Sequence, residues 1–126
     1  MVEFILYTEN QTISRNFYSK LLQKEPVLDV PGMTEFLLAD NCKLGLMPSA
    51  GIAKILGKTM VHPSNGKGIP RCELYLFMED VTVHYKRALE SGASPVSEPA
   101  NRDWGDKVAY VADPDGHIIA FAEKIM

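Results

Sequence analysis

Cysteine is nearly absent: Cys42 and Cys72 are the only two among 126 residues. Their wide separation excludes the close pairs of a zinc knuckle or a dithiol redox motif. Two small, reduced core residues in a cytoplasmic protein are the expectation. A basic excess is also lacking. The 13 Lys and Arg stand against 16 Asp and Glu, for a net charge of −3. That excludes the basic footprint a nucleic-acid backbone requires, and it offers an anionic membrane no attraction. No apolar run approaches the roughly 20 residues that span a bilayer. The opening Met1-Val2-Glu3-Phe4-Ile5-Leu6-Tyr7 has no basic n-region and no small-residue cleavage site. It reads as a strand rather than a signal peptide.

What remains is an ordinary globular composition, 46% hydrophobic and 23% charged, in a chain long enough for one domain with a core. The first strand is expected over Phe4–Thr8. Asn10 or Thr12 then offers a helix N-cap. Ile13, Phe17 and Leu21, with Tyr18 and Leu22 beside them, put one apolar face on a helix over Thr12–Leu22, and Pro26 is expected to end it. Short strands are expected at Val27–Val30, Thr34–Ala39 and Lys43–Pro48, with Pro31-Gly32 and Asp40-Asn41 as turns between them.

The second half repeats this order. A strand is expected over Glu73–Met78, an N-cap at Asp80, a helix over Val81–Ser91 and a left-handed stop at Gly92. Strands follow near Pro95–Glu98, Lys107–Ala112 and Ile118–Glu123. Asp113-Pro114-Asp115-Gly116 makes a tight turn before the last of them. The offset between the halves is roughly seventy residues. The chain therefore reads as α+β, with two βαβββ modules over 1–48 and 71–126. Two such modules can form a curled mixed sheet around a shared cleft, with the helices outside. The connection 49–70 is long and rich in Gly and Pro. It reads either as a lid or as a plain linker, with one helical turn at Ile52–Leu56.

Several motifs sit on this repeat: Asn16-Phe17-Tyr18 with Leu21-Leu22, then Trp104-Gly105-Asp106, then Asp113-Pro114-Asp115-Gly116-His117. Together they resemble the vicinal-oxygen-chelate superfamily of glyoxalase I, bleomycin- and fosfomycin-resistance proteins and extradiol dioxygenases. The resemblance covers nearly the whole chain. It implies a ligand groove and, in the metal-dependent members, one divalent ion held by two side chains from each module. Such an ion binds both oxygens of a substrate and stabilises an enediolate. Carried onto this sequence, the four ligand positions fall on Glu3, Gly45, Glu73 and Ala120. Glycine and alanine carry no donor, and a one-residue slip brings only Leu44, Leu46, Ile119 or Phe121. His62, His84 and His117 fall at none of the four positions. No metal and no other cofactor is therefore expected.

Four residues remain as candidates for the site. Glu3 and Glu73 read either as two acids facing the groove, able to bind a cation or act as a general base, or as surface groups pairing with Arg71 or Lys107. Trp104 reads either as a plate for a flat ligand or as packing for its hairpin, and Arg102 as a partner for an anionic group. The resemblance implies a small-molecule-binding protein, expected as a homodimer in the cytoplasm, with a small organic ligand and neither nucleic acid nor membrane as partner. The alternative is a metal-dependent glyoxalase I-like lyase or isomerase. A metal-free enzyme with Glu3 or Glu73 as base stays open beside both.

Overall fold

The computed structural model describes residues 1–125; position 126, the last of the expected second module, lies outside the described residues. The chain divides into two compact units, Met1–Lys67 and a second beginning at Gly68. The first runs β1 (Val2–Thr8), α1 (Gln11–Leu22), β2 (Leu28–Val30), β3 (Met33–Ala39) and β4 (Cys42–Pro48), followed by α2 (Ser49–Leu56). The second runs β5 (Glu73–Phe77), α3 (Val81–Glu90), β6 (Ser94–Asn101), β7 (Asp106–Ala112) and β8 (Ile118–Lys124). These are two βαβββ modules in an α+β fold. The strand orders match, β1-β4-β3-β2 and β5-β8-β7-β6, and in each sheet the first and last strands pair in parallel.

Local chemistry sets the helix ends. Asn10 caps α1 by accepting a hydrogen bond from the Ile13 N–H at 3.0 Å. Asp80 does the same for α3 through Val83 N–H at 3.2 Å. Gly92 (φ +107°) follows α3, where a Cβ would be strained. The end of α1 corrects an expectation: Pro26 does not stop it. Gln23 does, by turning left-handed at φ 55° three residues earlier. The connection is also more ordered than one helical turn. Helix α2 spans eight residues, and single 3₁₀ turns at Gly57–Thr59 and Pro63–Gly66 follow it.

Helices α1 and α3 each cover one face of their own sheet. In the first unit Phe17, Tyr18, Leu21 and Leu22 of α1 are buried, as are Phe36, Leu44 and Leu46 of β3 and β4. In the second, Val81 and Ala88 of α3 are buried with Val111, Ile119 and Phe121, and the His84 ring stacks on Phe121 at 5.9 Å. Burial, with the nearby Arg87 charge, pushes the His84 pKa down. Because side chains alternate along a strand, the other face of each sheet carries the remaining half of every strand. All candidate site residues on strands lie on those faces.

Candidate functional site

On the first sheet, Glu3 of β1 pairs in register with Lys43 of β4, and Glu35 of β3 pairs with Gly45. Two-residue alternation then puts Glu3, Glu35, Lys43 and Gly45 on the face away from α1. Glu3 is half-buried and leans over Gly45: a Cβ on residue 45 would meet its Oε2 at 2.5 Å. That oxygen is buried and has no hydrogen-bond donor among the described residues. Its neighbour is Glu35, a second acceptor while ionised, so the two carboxyls bond only when one is protonated. Burial, then the Glu35 hydrogen bond and charge, raises the Glu3 pKa; the Lys43 charge opposes this. Lys43 stands 3.3 Å from Glu35 Oε1. Among the described residues neither Glu3 nor Glu73 forms an ion pair, and Lys107 lies 3.9 Å from Glu123.

The second sheet fills the same face with aromatic rings. Tyr75 of β5 pairs with Ala120 of β8, and Ala120 pairs with Tyr110 of β7. Both rings pack against Val108, Ala120 and Ala122, which are fully buried. Burial raises the pKa of both phenols; Asp106 adds to this at Tyr75 and the Glu73 charge at Tyr110. Glu73 itself is exposed. Trp104, at the β6–β7 turn, is 57% exposed, and its Nε1–H donates to Tyr75 Oη at 2.9 Å. The Arg102 guanidinium lies 5.3 Å from the Tyr110 ring centroid. One of its nitrogens donates to Ser97 Oγ at 2.9 Å, Val108 O at 2.9 Å and Glu98 O at 3.1 Å, so it holds the β6–β7 hairpin together.

Glu35, Tyr75, Asp106 and Tyr110 were not singled out from the sequence as site residues. A signal existed for two of them. Glu35 is the one charge inside strand β3, and Asp106 closes the Trp-Gly-Asp motif.

The four positions implied for a metal do not supply four donors. Gly45 has none and its side-chain space is taken by Glu3; Ala120 has none and lies under two tyrosines. Among the described residues, one group of three could reach a common cation: Asp113, Asp115 and His117 of the final turn, with donor atoms within 4.8 Å of one another. Asp113 Oδ1 already accepts the backbone N–H groups of Asp115 and His117, both at 2.9 Å, which is the ordinary bonding of an Asx turn. An open cleft of about 510 Å³ beside the start of α1 is lined by Gln11, Arg15 and Asp29. Those side chains are bonded within the unit, Gln11 to Val30 O and Thr34, and Arg15 to Asp29.

Comparison with known proteins agrees with this architecture. The sequence pattern of the glyoxalase-like domain matches residues 1–126. The Mycobacterium bovis protein Mb0911c is 27% identical over 115 residues, covering 89% of this chain and 75% of its own. A glyoxalase-related enzyme from Fulvimarina pelagi superposes with a TM-score of 0.85 at 20% identity, covering 98% of this chain and 87% of its own. A protein of Agrobacterium tumefaciens solved in solution gives 0.77 at 28% identity, covering 98% and 96%.

Proposed function

The chain belongs to the glyoxalase-like domain family, and on that premise we propose that it is a small-molecule-binding protein without the family's metal centre. One observation carries the reading: neither Gly45 nor Ala120 has a donor atom, and the Glu3 carboxylate occupies the room a side chain at 45 needs. Two carboxylates with water make a poorly defined transition-metal site. What the two faces offer instead is chemistry for an organic ligand. In the first unit Glu3 can accept a hydrogen bond or face a positive charge; in the second, Glu73 is an exposed carboxylate. Trp104 offers a flat surface. Arg102 shapes the hairpin that carries Trp104.

The same reading has the protein acting as a homodimer in the cytoplasm. Cys42 and Cys72 are free thiols, which suits a reducing compartment, but neither is the core residue expected: Cys72 is exposed and Cys42 only partly buried. Phe4 and Phe77 on the outer strands are exposed apolar rings, which suit a second copy. Light scattering on a sizing column tests the dimer.

The decisive experiment is metal analysis of the purified protein, followed by calorimetric titration with Ni, Zn, Mn and Fe. No stoichiometric complex is expected. A tight one-to-one complex would overturn the proposal in favour of a metal-dependent glyoxalase I-like isomerase. A compound screen read by Trp104 emission tests the ligand contact; bound compounds that leave that emission unmoved count against Trp104.

A further inference from the structure

We propose that Tyr75 and Asp106 are positioning residues for Trp104, holding its indole in one orientation so that a flat ligand ring meets a plate already set. The proposal rests on the reading of Trp104 as a ligand contact and extends it to two residues that need not touch the ligand.

An exposed side chain at a turn ordinarily samples several rotamers, and fixing it costs entropy when a ligand arrives. Trp104 is such a side chain: it precedes Gly105, which has φ +92°, and it is more than half exposed. Yet its only polar atom is engaged, with Nε1–H donating to Tyr75 Oη at 2.9 Å. An indole nitrogen can only donate, so Tyr75 Oη must accept there and turn its own hydrogen elsewhere. That hydrogen goes to Asp106 Oδ2 at 2.7 Å. A carboxylate oxygen accepts, so the chain runs in one direction, Trp104→Tyr75→Asp106.

The anchor of this chain is buried. The Asp106 side chain is 5% exposed, and its Oδ1 lies 3.4 Å from Lys124 Nζ, close enough for charge balance though not aligned as a hydrogen bond. Tyr75 is itself braced edge-on by Phe77 at 5.4 Å. A tryptophan whose role was to pack the hairpin would be expected to bury its rings. Here a buried carboxylate and a phenol on the outermost strand restrain an indole that stays in solvent. The restraint removes rotamer freedom before binding, the saving that preorganisation gives a binding surface.

Trp104 is the only tryptophan, so its fluorescence reports this one side chain. The first measurement uses no ligand: fluorescence anisotropy decay and acrylamide quenching of wild type, Tyr75→Phe, Asp106→Leu and Asp106→Asn. Tyr75→Phe removes the acceptor for the indole, and Asp106→Leu removes the anchor. Both are expected to enlarge the fast local depolarisation and raise the quenching constant about twofold, as a released side chain regains its rotamers. Asp106→Asn keeps an acceptor oxygen and is expected to stay near wild type. Equal depolarisation in wild type and Tyr75→Phe, with circular dichroism unchanged, overturns the proposal even if Asp106→Leu fails to fold.

The second measurement uses thioflavin T, a flat aromatic cation. Its dissociation constant is expected to rise about fivefold in Tyr75→Phe, the scale of ordering one side chain on binding. If the indole loosens while thioflavin T binds wild type, Tyr75→Phe and Trp104→Ala alike, or binds none of them, the ligand role of Trp104 fails. The restraint itself would then stand as measured in the first arm.

Discussion

The two units share a topology and differ in what their helix-free faces hold. Beneath the helices they are alike: Leu46 and Phe121 occupy matching places on β4 and β8, one residue beyond Gly45 and Ala120, and both are fully buried. On the other face the first unit places two carboxyls and a lysine around a glycine, while the second places two tyrosines over alanines. A helix-covered face must be apolar for the sheet to form at all, so it tolerates little change. The opposite face carries no helix, and the two modules differ there while keeping the same strand order.

The largest expected effect tests the shared side of this comparison. Leu46→Ala and Phe121→Ala should each cost about 2–5 kcal/mol in urea denaturation, because both leave a cavity under a helix. A loss under about 1 kcal/mol at one site only would break the equivalence of the two units.

Gly45→Ala comes next. The new Cβ meets Glu3 Oε2, the end of a side chain that must turn aside, and closes on Ile5 Cγ1 at 3.1 Å, so a loss of about 0.5–1.5 kcal/mol is expected, the cost of a displaced rotamer. In a Glu3→Ala background the same change should cost far less. A double-mutant cycle showing simple additivity would mean that Glu3 does not fill that space.

Smaller still is the effect of charge. The Glu3 pKa is raised, so the folded state favours its protonated form. That contribution is present below the ordinary value of 4.5 and is lost as pH rises through the folded value. At neutral pH the ionised pair with Glu35 is unfavourable, and Glu3→Gln should stabilise by about 0.2–1 kcal/mol, the scale of exposed and partly exposed charge pairs. Equal stability of Glu3→Gln and wild type from pH 4 to pH 8 would remove the coupling.

The smallest effect belongs to the second unit and appears only in alkali. Tyr75 and Tyr110 have raised pKa values, so their contribution to stability holds below the ordinary value of 10.0 and fades as pH climbs through the folded values. Absorbance titration should place Tyr75 and Tyr110 among the late-ionising tyrosines. Tyr75→Phe and Tyr110→Phe should each remove one late step; if neither does, the two phenols are not the shielded ones.

Much of the fold was legible because its signals are local. Asn10 and Asp80 cap helices through bonds to residues three positions on, and Gly92 takes the backbone angle a helix stop requires. The Asp113–Gly116 turn is written in four consecutive residues. Gln23 shows the limit of such reading, since a glutamine in a left-handed conformation carries no compositional mark, and Pro26 was the more visible stop. The site was less legible. Gly45 fell on an expected strand and the resemblance pointed to Glu3, which lies inside β1 although the expected strand began at Phe4, but no local pattern couples Glu3 to Glu35. The motif Trp-Gly-Asp was visible as a string, yet it did not reveal that its tryptophan and aspartate are joined through Tyr75, about thirty residues earlier in the chain.

The sequence by itself determined the order of elements and the repeat, which depend on residue type and spacing alone. That positions 45 and 120 are where donors are missing followed from the resemblance to the superfamily. Tertiary structure decided which side chains meet. Strand β4 lies between β1 and β3, and that order alone brings two carboxyls together over a glycine; β8 lies between β5 and β7, and that order brings two phenols together over an alanine. Neighbours across a sheet are set by strand pairing, which distant parts of the chain fix jointly. The helix-free faces therefore took their character only once the sheets had formed.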